Sequence, residues 1–410
     1  MQDREILRKL AGAVAEAAAL PCQKETAQLY RDVNGLKLVR PPVLLDELPW
    51  NQLEASGELD LACQDPLARE AEQWLRRTLY RWRHCRGDLL LLPYYPLHRC
   101  IHIGDMGVQV VEDTLEADKG NNIISHHYSD QLSDFASLAK LHVPSVRVDD
   151  ALTQRQAEQL GAAFGDLLPV RLVGLDYAGN HTPLDDLSRW RGVEPILTDL
   201  IDNPELLHAF MQRYLDIKLE LLAKLESMGL VDACGATIHC TPGLAPELPE
   251  EQRGGGYTRK DIWGRCTAQI FAVVSPAMHD EFEIEYAKQY LEGFGLSYYG
   301  CCEPLHNKIH ILRKLPKLRK VSITPWADVR VAAENIGGDY VLSRKPNPAA
   351  VAVDQVDEEA LRAEILETLQ VCRENNTPCE FILKDISSVS HKPQNLDTWE
   401  RIVMETVRNF

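Results

Sequence analysis

A strand and a cluster of reactive side chains meet in the stretch Leu296-Ser-Tyr-Tyr-Gly-Cys-Cys-Glu-Pro-Leu-His306. Three of its first four residues are apolar or aromatic, which predicts a strand. Pro304 cannot continue a strand comfortably, so the triplet Cys301-Cys302-Glu303 is expected at the carboxyl end of that strand. Ligands bind at this end of the strands in α/β proteins, so the stretch predicts a functional site.

The chemistry of the same stretch favours a metal. Two thiols, a carboxylate and the imidazole of His306 lie within six residues of one another. These are the groups that zinc prefers as ligands in proteins. Buried packing is the alternative interpretation of the cysteine pair, because cysteine is among the most buried residue types.

Composition limits the class of protein. The chain has 410 residues, 45% of them hydrophobic and 26% charged, which fits one large α/β barrel with additions or two ordinary domains. A net charge of −17 with no offsetting run of Lys and Arg argues against a nucleic-acid partner. A well-solvated surface explains this acidity, and an acidic face for docking a partner protein is the alternative.

The apolar runs, the N-terminal residues and the cysteines predict where in the cell the protein is located. No run of about 18 apolar residues is present, so we expect no membrane span. The start Met1-Gln-Asp-Arg-Glu5 carries both charge signs and does not resemble a secretory signal. We therefore expect a cytoplasmic protein whose eleven cysteines are reduced thiols.

Residues 1–85 are predicted to form an N-terminal helical extension. Apolar residues recur at helical spacing in its first and last parts, with the proline-punctuated connector Arg40-Pro-Pro-Val-Leu-Leu-Asp-Glu-Leu-Pro49 between them. The extension is expected to pack on the main domain, and a separate binding module is the alternative.

Residues 86–410 alternate between strand and helix patterns. Strands are predicted near 88–93, 143–148, 170–175, 230–239, 296–300, 320–328, 339–348 and 378–385, and helices near 150–164, 202–228, 275–293, 357–374 and 398–408. Thr153 and Ser275 are the predicted N-caps of two of these helices. Repeated βα units with polar strand ends indicate a (β/α)₈ TIM barrel, and no glycine-rich nucleotide-binding pattern follows a strand.

The strand ends supply the candidate site residues. Zinc ligands would come from His239, Cys301, Cys302 and Glu303. Substrate-binding groups would come from Arg344, Lys345, His306 and Trp326, and acid–base catalysis from Glu303, Asp328 and Asp385. A loop role for His239-Cys240 and packing for Trp326 are the alternatives. The pair His126-His127 is expected on an exposed loop, the segment 118–122 is expected to form a turn, and Cys379 and Cys234 are expected in the core.

From about residue 143 onward the chain resembles the uroporphyrinogen decarboxylase superfamily, especially its cobamide-dependent methyltransferase branch. The features that carry the resemblance are Asp202-Asn-Pro-Glu205, Val274-Ser-Pro-Ala-Met-His-Asp-Glu-Phe282, the strand ending in Cys301-Cys302, Lys345-Pro-Asn-Pro348 and Pro393-Gln-Asn395. The resemblance implies a (β/α)₈ barrel. It also implies a zinc-dependent methyl transfer between a small methylated compound and a corrinoid protein that carries cobalamin.

This sequence departs from the His-x-Cys zinc motif of that branch. Tyr299 or Gly300 occupies the histidine position, and Ser387 lies near the position of the cysteine that completes the motif. The resemblance therefore implies a different ligand set, in which Cys301 or Cys302 joins Glu303 and either His239 or His306.

Two other functions stay open at this point. One is a metal-free decarboxylase-like enzyme in which Arg344 and Lys345 bind carboxylates and Asp328 or Asp385 transfers protons. The arginine-rich N-terminal motif of true uroporphyrinogen decarboxylases has no counterpart in residues 1–100. The other is a non-catalytic protein that binds a tetrapyrrole or corrinoid. A homodimer is compatible with each function.

Overall fold

The computed structural model describes residues 2–53, 57–116, 124–233, 237–250 and 256–410. Its strands are β1 (Val43–Leu45), β2 (Tyr95–His98), β3 (Ile101–Ile103), β4 (Glu112–Glu116), β5 (Ile124–Tyr128), β6 (Val146–Val148), β7 (Val170–Val173), β8 (Asn180–His181), β9 (Thr237–Ile238), β10 (Thr241–Pro242), β11 (Trp263–Cys266), β12 (Leu296–Tyr299), β13 (Leu318–Ile323), β14 (Val341–Arg344) and β15 (Cys379–Leu383).

Helices surround these strands. They are α1 (Gln2–Ala18), α2 (Pro21–Asn34), α3 (Pro66–His84), α4 (Phe135–Leu138), α5 (Asp150–Phe164), α6 (Pro183–Arg191), α7 (Val193–Asp202), α8 (Pro204–Ser227), α9 (Pro276–His279), α10 (Glu285–Leu291), α11 (Ile309–Leu312), α12 (Val329–Ile336), α13 (Glu358–Glu374) and α14 (Gln394–Asn409). A π-helical turn, Asp280–Ile284, joins α9 to α10.

Seven strands form one parallel sheet in the order β1-β15-β14-β13-β12-β11-β8. The α/β class predicted from the sequence is therefore confirmed. The described hydrogen-bonded ladder ends at β1 on one side and at β8 on the other. A closed eight-stranded barrel remains a prediction.

The two faces of the sheet have different neighbours. One face packs against α10 and α12 and buries Tyr299, Val321 and Leu342 in the largest hydrophobic cluster. The opposite face carries Tyr298, Trp263 and Glu380, because side chains alternate along a strand. We call this opposite face the inner face.

A short hairpin made of β9 and β10 covers part of the inner face. The side chain of Thr241 donates a hydrogen bond of 2.8 Å to Glu380 on β15, and the indole of Trp263 on β11 donates one of 2.8 Å to the carbonyl of Gly243. Ile238 packs against Tyr298. We call residues 237–245 the plug hairpin, because it joins distant strands across the inner face.

Several predicted elements are confirmed, and their boundaries have clear causes. The predicted strand at 296–300 is β12, and Ser275 caps α9 by accepting a hydrogen bond from the amide of Met278. The long helix predicted from 202 is α8, with Pro204 in its first turn. The helices predicted near 150–164 and 357–374 are α5 and α13.

Other predictions were wrong. No strand is assigned to 88–93, where Asp88 binds Arg40 and the amide of Val43 instead; the strand begins at Tyr95. Asp149, not Thr153, caps α5, because its carboxylate accepts from the amide of Leu152. The pair His126-His127 is exposed as predicted but lies on β5.

Segments 118–122 and 234–236 lie outside the described residues, so the predicted turn and the core position of Cys234 stay predictions. Of the strand predicted over 230–239, the structure describes a bridge between Val231 and Leu175 and the two residues of β9.

The predicted N-terminal extension contributes a strand to the main sheet in addition to its helices. Its connector contains β1, which pairs in parallel with β15 and forms an edge of the main sheet. No helix of the described chain is both long enough and apolar enough to cross a membrane.

Candidate active site

A cavity of about 200 Å³ lies at the carboxyl ends of β12, β13, β14 and β15. Its walls include Cys301 and Cys302 after β12, Trp326 after β13, Lys345 after β14, and Lys384 and Asp385 after β15. We call it the cysteine cavity. Four neighbouring parallel strands thus bring five of the predicted site residues to one place.

A glycine and a buried carboxylate shape the turn that presents the thiols. Gly300 has φ of +100°, and a Cβ there would lie 2.6 Å from Leu305, so other residues would strain the turn. Glu303 is fully buried and accepts hydrogen bonds from the Cys301 amide at 2.9 Å, the Thr267 hydroxyl at 2.8 Å and the Ala268 amide at 3.0 Å. These hydrogen bonds fix the conformation of the backbone at Cys301.

The two thiols have opposite electrostatic environments. Their Sγ atoms lie 3.5 Å apart, and the Sγ of Cys302 lies 3.6 Å from a carboxylate oxygen of Asp385. A hydrogen bond from Cys302, with the positive charges of Lys384 and Arg265, lowers the pKa of Cys301. The same hydrogen bond and burial raise the pKa of Cys302. Cys301 is therefore the thiol of the pair that ionises more readily.

Lys345 connects the cysteine cavity to a buried polar chain on the inner face. Its ammonium donates to the Ser343 hydroxyl at 2.6 Å and to the Tyr298 phenol at 3.0 Å. Ser343 in turn donates to Glu380 at 2.6 Å, which also binds Lys320 at 2.8 Å. Burial lowers the pKa of Lys345 to about 8, so this amine can exchange a proton near neutral pH.

Three predicted site residues lie apart from this centre. The guanidinium of Arg344 donates to the Thr324 carbonyl at 2.6 Å and contacts Glu364 of α13 at 3.3 Å, so it is turned toward a helix. Asp328 caps α12 through the Val331 amide. His306 does not line the cysteine cavity.

The remaining predicted residues line the cavity in different ways. Trp326 is 70% exposed and stands at the rim. Asp385, with φ of +57°, accepts a hydrogen bond of 2.7 Å from the Lys384 ammonium. Left-handed backbone at a non-glycine residue is costly and tends to occur at functional sites.

The predicted zinc ligands do not converge. Glu303 is held by three donors from the chain, and His239 lies edge-on to Tyr298, with ring centroids 5.2 Å apart, beside a different cavity. Within the described ranges, no group of three or more His, Cys, Asp or Glu side chains is arranged to hold a metal ion. The predicted set does not fit zinc in this conformation.

Sequence reasoning missed Lys384 and Arg265, the two cations whose charges lower the pKa of Cys301. Lys384 directly follows β15 and lies two residues after Ile382 and four after Glu380, so strand alternation places it on the inner face. Arg265 belongs to β11, a strand that the sequence pattern did not predict because it is short and contains Gly264.

The comparisons with known proteins address the fold. The chain matches no protein-family profile, and no curated protein matches it. Among solved structures it is similar to a methyltransferase from Methanosarcina mazei, with 13% identity, 94% of this chain and 98% of that chain covered, and a TM-score of 0.51. At this level of identity, the likeness shows that the chain has the same overall fold as that methyltransferase.

Proposed function

We propose that this protein is a methyltransferase and that the cysteine cavity is its reaction centre. The observation that carries the proposal is the position of Cys301: a thiol flanked by Cys302 and Lys384 at a sheet edge where parallel strands end. The fold shared with a methyltransferase supports the proposal. A cavity of about 200 Å³ suits a small methylated compound.

The proposed step is a displacement at the methyl carbon. The thiolate of Cys301 attacks the methyl group of a donor in which that group is bonded to O, N or S. The bond between carbon and heteroatom breaks as the S–C bond forms, and the leaving group departs with the electron pair. Lys345 supplies a proton to that leaving group from its ammonium. An acceptor nucleophile then takes the methyl group, and Cys301 leaves as the thiolate again.

The resemblance found in the sequence supports a corrinoid protein as methyl acceptor or donor. The cobalt(I) form of a corrinoid is a nucleophile of the required kind, so free cob(I)alamin serves as the probe. The assay combines cob(I)alamin with a panel of methylated alcohols, amines and thiols. We expect methyl transfer by the unmodified protein, loss of this activity in Cys301→Ser and full activity in the exposed-site control Arg330→Gln. No methyl transfer by the unmodified protein to any acceptor in the panel would contradict the proposal.

The resemblance also implies zinc, but the proposed steps do not require it. The cations Lys384 and Arg265 and the hydrogen bond from Cys302 already favour the thiolate. Elemental analysis of the purified protein beside a Cys301→Ser/Cys302→Ser double variant tests for a metal. About one zinc per chain, lost in the double variant, would show that the cysteines bind metal in a conformation different from this one.

A metal-free decarboxylase-like reaction is the second candidate. Of the four residues proposed for it, Lys345 and Asp385 line the cysteine cavity, whereas Arg344 and Asp328 do not. An amine of lowered pKa in a cavity is the observation that favours it. Release of carbon dioxide from a carboxylate substrate, unchanged by a chelator and lost in Lys345→Met, would support it. A non-catalytic corrinoid-binding role predicts tight corrinoid binding without turnover.

A further inference from the structure

A second cavity, of about 280 Å³, is connected to the cysteine cavity through the contacts of Tyr298. Its walls include His239 from the plug hairpin and Arg265 from β11. Tyr298 contacts His239 with its ring and Lys345 with its hydroxyl, so it links one wall residue of each cavity. We call this space the Arg265 cavity.

Two buried polar atoms in its walls have no hydrogen-bond partner among the described residues. They are the Nε atom of Arg265 and the Nε2 atom of His239, and Arg265 forms no ion pair within the part of the chain that the structure describes. Two such atoms are costly, because buried polar groups are almost always hydrogen-bonded. No described residue satisfies them, so a ligand is the natural partner.

The acidic residues around this cavity are already occupied or face solvent. Asp232 accepts from the amides of Gly174 and Ala233, Asp261 accepts from Thr258, and Glu250 pairs with Arg31. Asp176 is exposed. None of these carboxylates forms an ion pair with Arg265, whose Nε atom is buried without a hydrogen bond in the described structure.

The charge and the walls define the ligand. Burial, with the neighbouring charge of Arg265, lowers the pKa of His239, so its imidazole is neutral and donates a hydrogen bond without adding charge. A single guanidinium matches a monoanion better than a dianion, and its planar fork matches a carboxylate. Ile238, Leu248 and Trp263 supply an apolar wall. A cavity of about 280 Å³ holds roughly ten non-hydrogen atoms.

We infer that the Arg265 cavity binds a small monocarboxylate with an apolar body, whose carboxylate accepts hydrogen bonds from Arg265 and His239. This ligand site is distinct from the cysteine cavity and does not depend on the proposed methyl transfer. A ligand there would contact His239, whose ring packs against Tyr298, the hydrogen-bond partner of Lys345.

Calorimetric titration of the whole protein tests the inference. The probes are benzoate, pentanoate, the uncharged amides of both and inorganic phosphate. We expect saturable binding of the carboxylates and at least tenfold weaker binding of the amides and of phosphate. Equal binding of benzoate and benzamide would overturn the inference, as would no binding of either carboxylate.

Variants assign the binding to this cavity. Arg265→Gln should weaken benzoate binding at least tenfold, and His239→Phe should weaken it severalfold. Arg265→Lys should retain part of the binding. Arg330→Gln, at an exposed arginine paired with Glu374, should bind as the unmodified protein does. Cys301→Ser should also bind benzoate fully, which separates this result from the fate of the methyl-transfer proposal. Unchanged binding in folded Arg265→Gln and His239→Phe would place the ligand elsewhere and overturn the inference.

Discussion

The ammonium of Lys345 lies 3.0 Å from the phenol oxygen of Tyr298, and this contact joins the two cavities of the inner face. Lys345 lines the cysteine cavity, whereas the ring of Tyr298 contacts His239 in the Arg265 cavity. Any group that alters Tyr298 therefore alters the surroundings of Lys345. This contact makes Lys345 the group through which occupation of one cavity is expected to influence the other.

Cys301 is expected to be the thiol of this cavity that is alkylated at the lowest pH. Iodoacetamide alkylation followed by peptide mass analysis across a pH series gives the apparent pKa of each thiol. Cys302→Ala should raise the pKa of Cys301, because it removes the hydrogen bond that stabilises the thiolate. If Cys301 in the unmodified protein reacts with the pH dependence of an ordinary exposed thiol, the assigned environment is wrong.

The rate of methyl transfer should fall as the pH rises through about 8. Burial lowers the pKa of Lys345 to about 8, and above that pH the amine no longer holds the proton that the leaving group requires. In Lys345→Gln, the rate should drop by at least tenfold and this alkaline decline should disappear. An unchanged alkaline limb in that variant would assign the decline to another group.

Loss of the buried acid on β15 should destabilise the sheet strongly. Lys320 and Glu380 are both fully buried and lie 2.8 Å apart. Glu380→Gln leaves the ammonium of Lys320 without its counter-charge, at an expected cost of about 3–5 kcal/mol in the free energy of unfolding. The control Glu374→Gln breaks an exposed pair and should cost about 1 kcal/mol or less. Urea denaturation measures both, and similar losses in the two variants would contradict the assignment.

Glu283, in the π-helical turn, should make stability depend on pH. Burial raises its pKa to about 8, and Tyr299 donates a hydrogen bond of 2.5 Å to it. The unfolded chain releases this proton near pH 4.5, so the stabilisation is complete below that pH and is lost as the pH rises through about 8.

The variant Glu283→Gln keeps a neutral side chain at every pH. Relative to the unmodified protein, we expect similar unfolding free energy at about pH 5 and an advantage of a few kcal/mol at about pH 9. Denaturant titrations at both values provide the comparison. An unmodified protein that gains stability over this range relative to Glu283→Gln would show that Glu283 is ionised in the fold.

The sequence predicted the parts of this protein that local rules control. Proline and serine at helix starts located α8 and α9, and the stretch from Leu296 located β12. The α/β class followed from the alternation of these elements. Cys301 and Cys302 were placed at a strand end because the next proline cannot continue a strand.

Long-range packing controls what the sequence did not reveal. The apolar run at 88–93 matched a strand, but Asp88 is held by Arg40 and by Val43 of β1, and no strand is assigned to this run. The plug hairpin places Thr241 against Glu380, 139 residues later, and no local pattern predicts that contact. Local sequence also does not predict the proposed ligand-binding role of Arg265. That role follows from the absence of an ion-pairing partner for Arg265 in the described structure.

Methyl transfer through Cys301 is best tested by mass analysis of the peptide that contains it, after incubation of the unmodified protein with each methyl donor and no acceptor. A donor that supports turnover should add one methyl group to Cys301, and added cob(I)alamin should remove it. Turnover with no methyl group on Cys301, unchanged in Cys301→Ser, would contradict the proposed mechanism and place the reaction elsewhere.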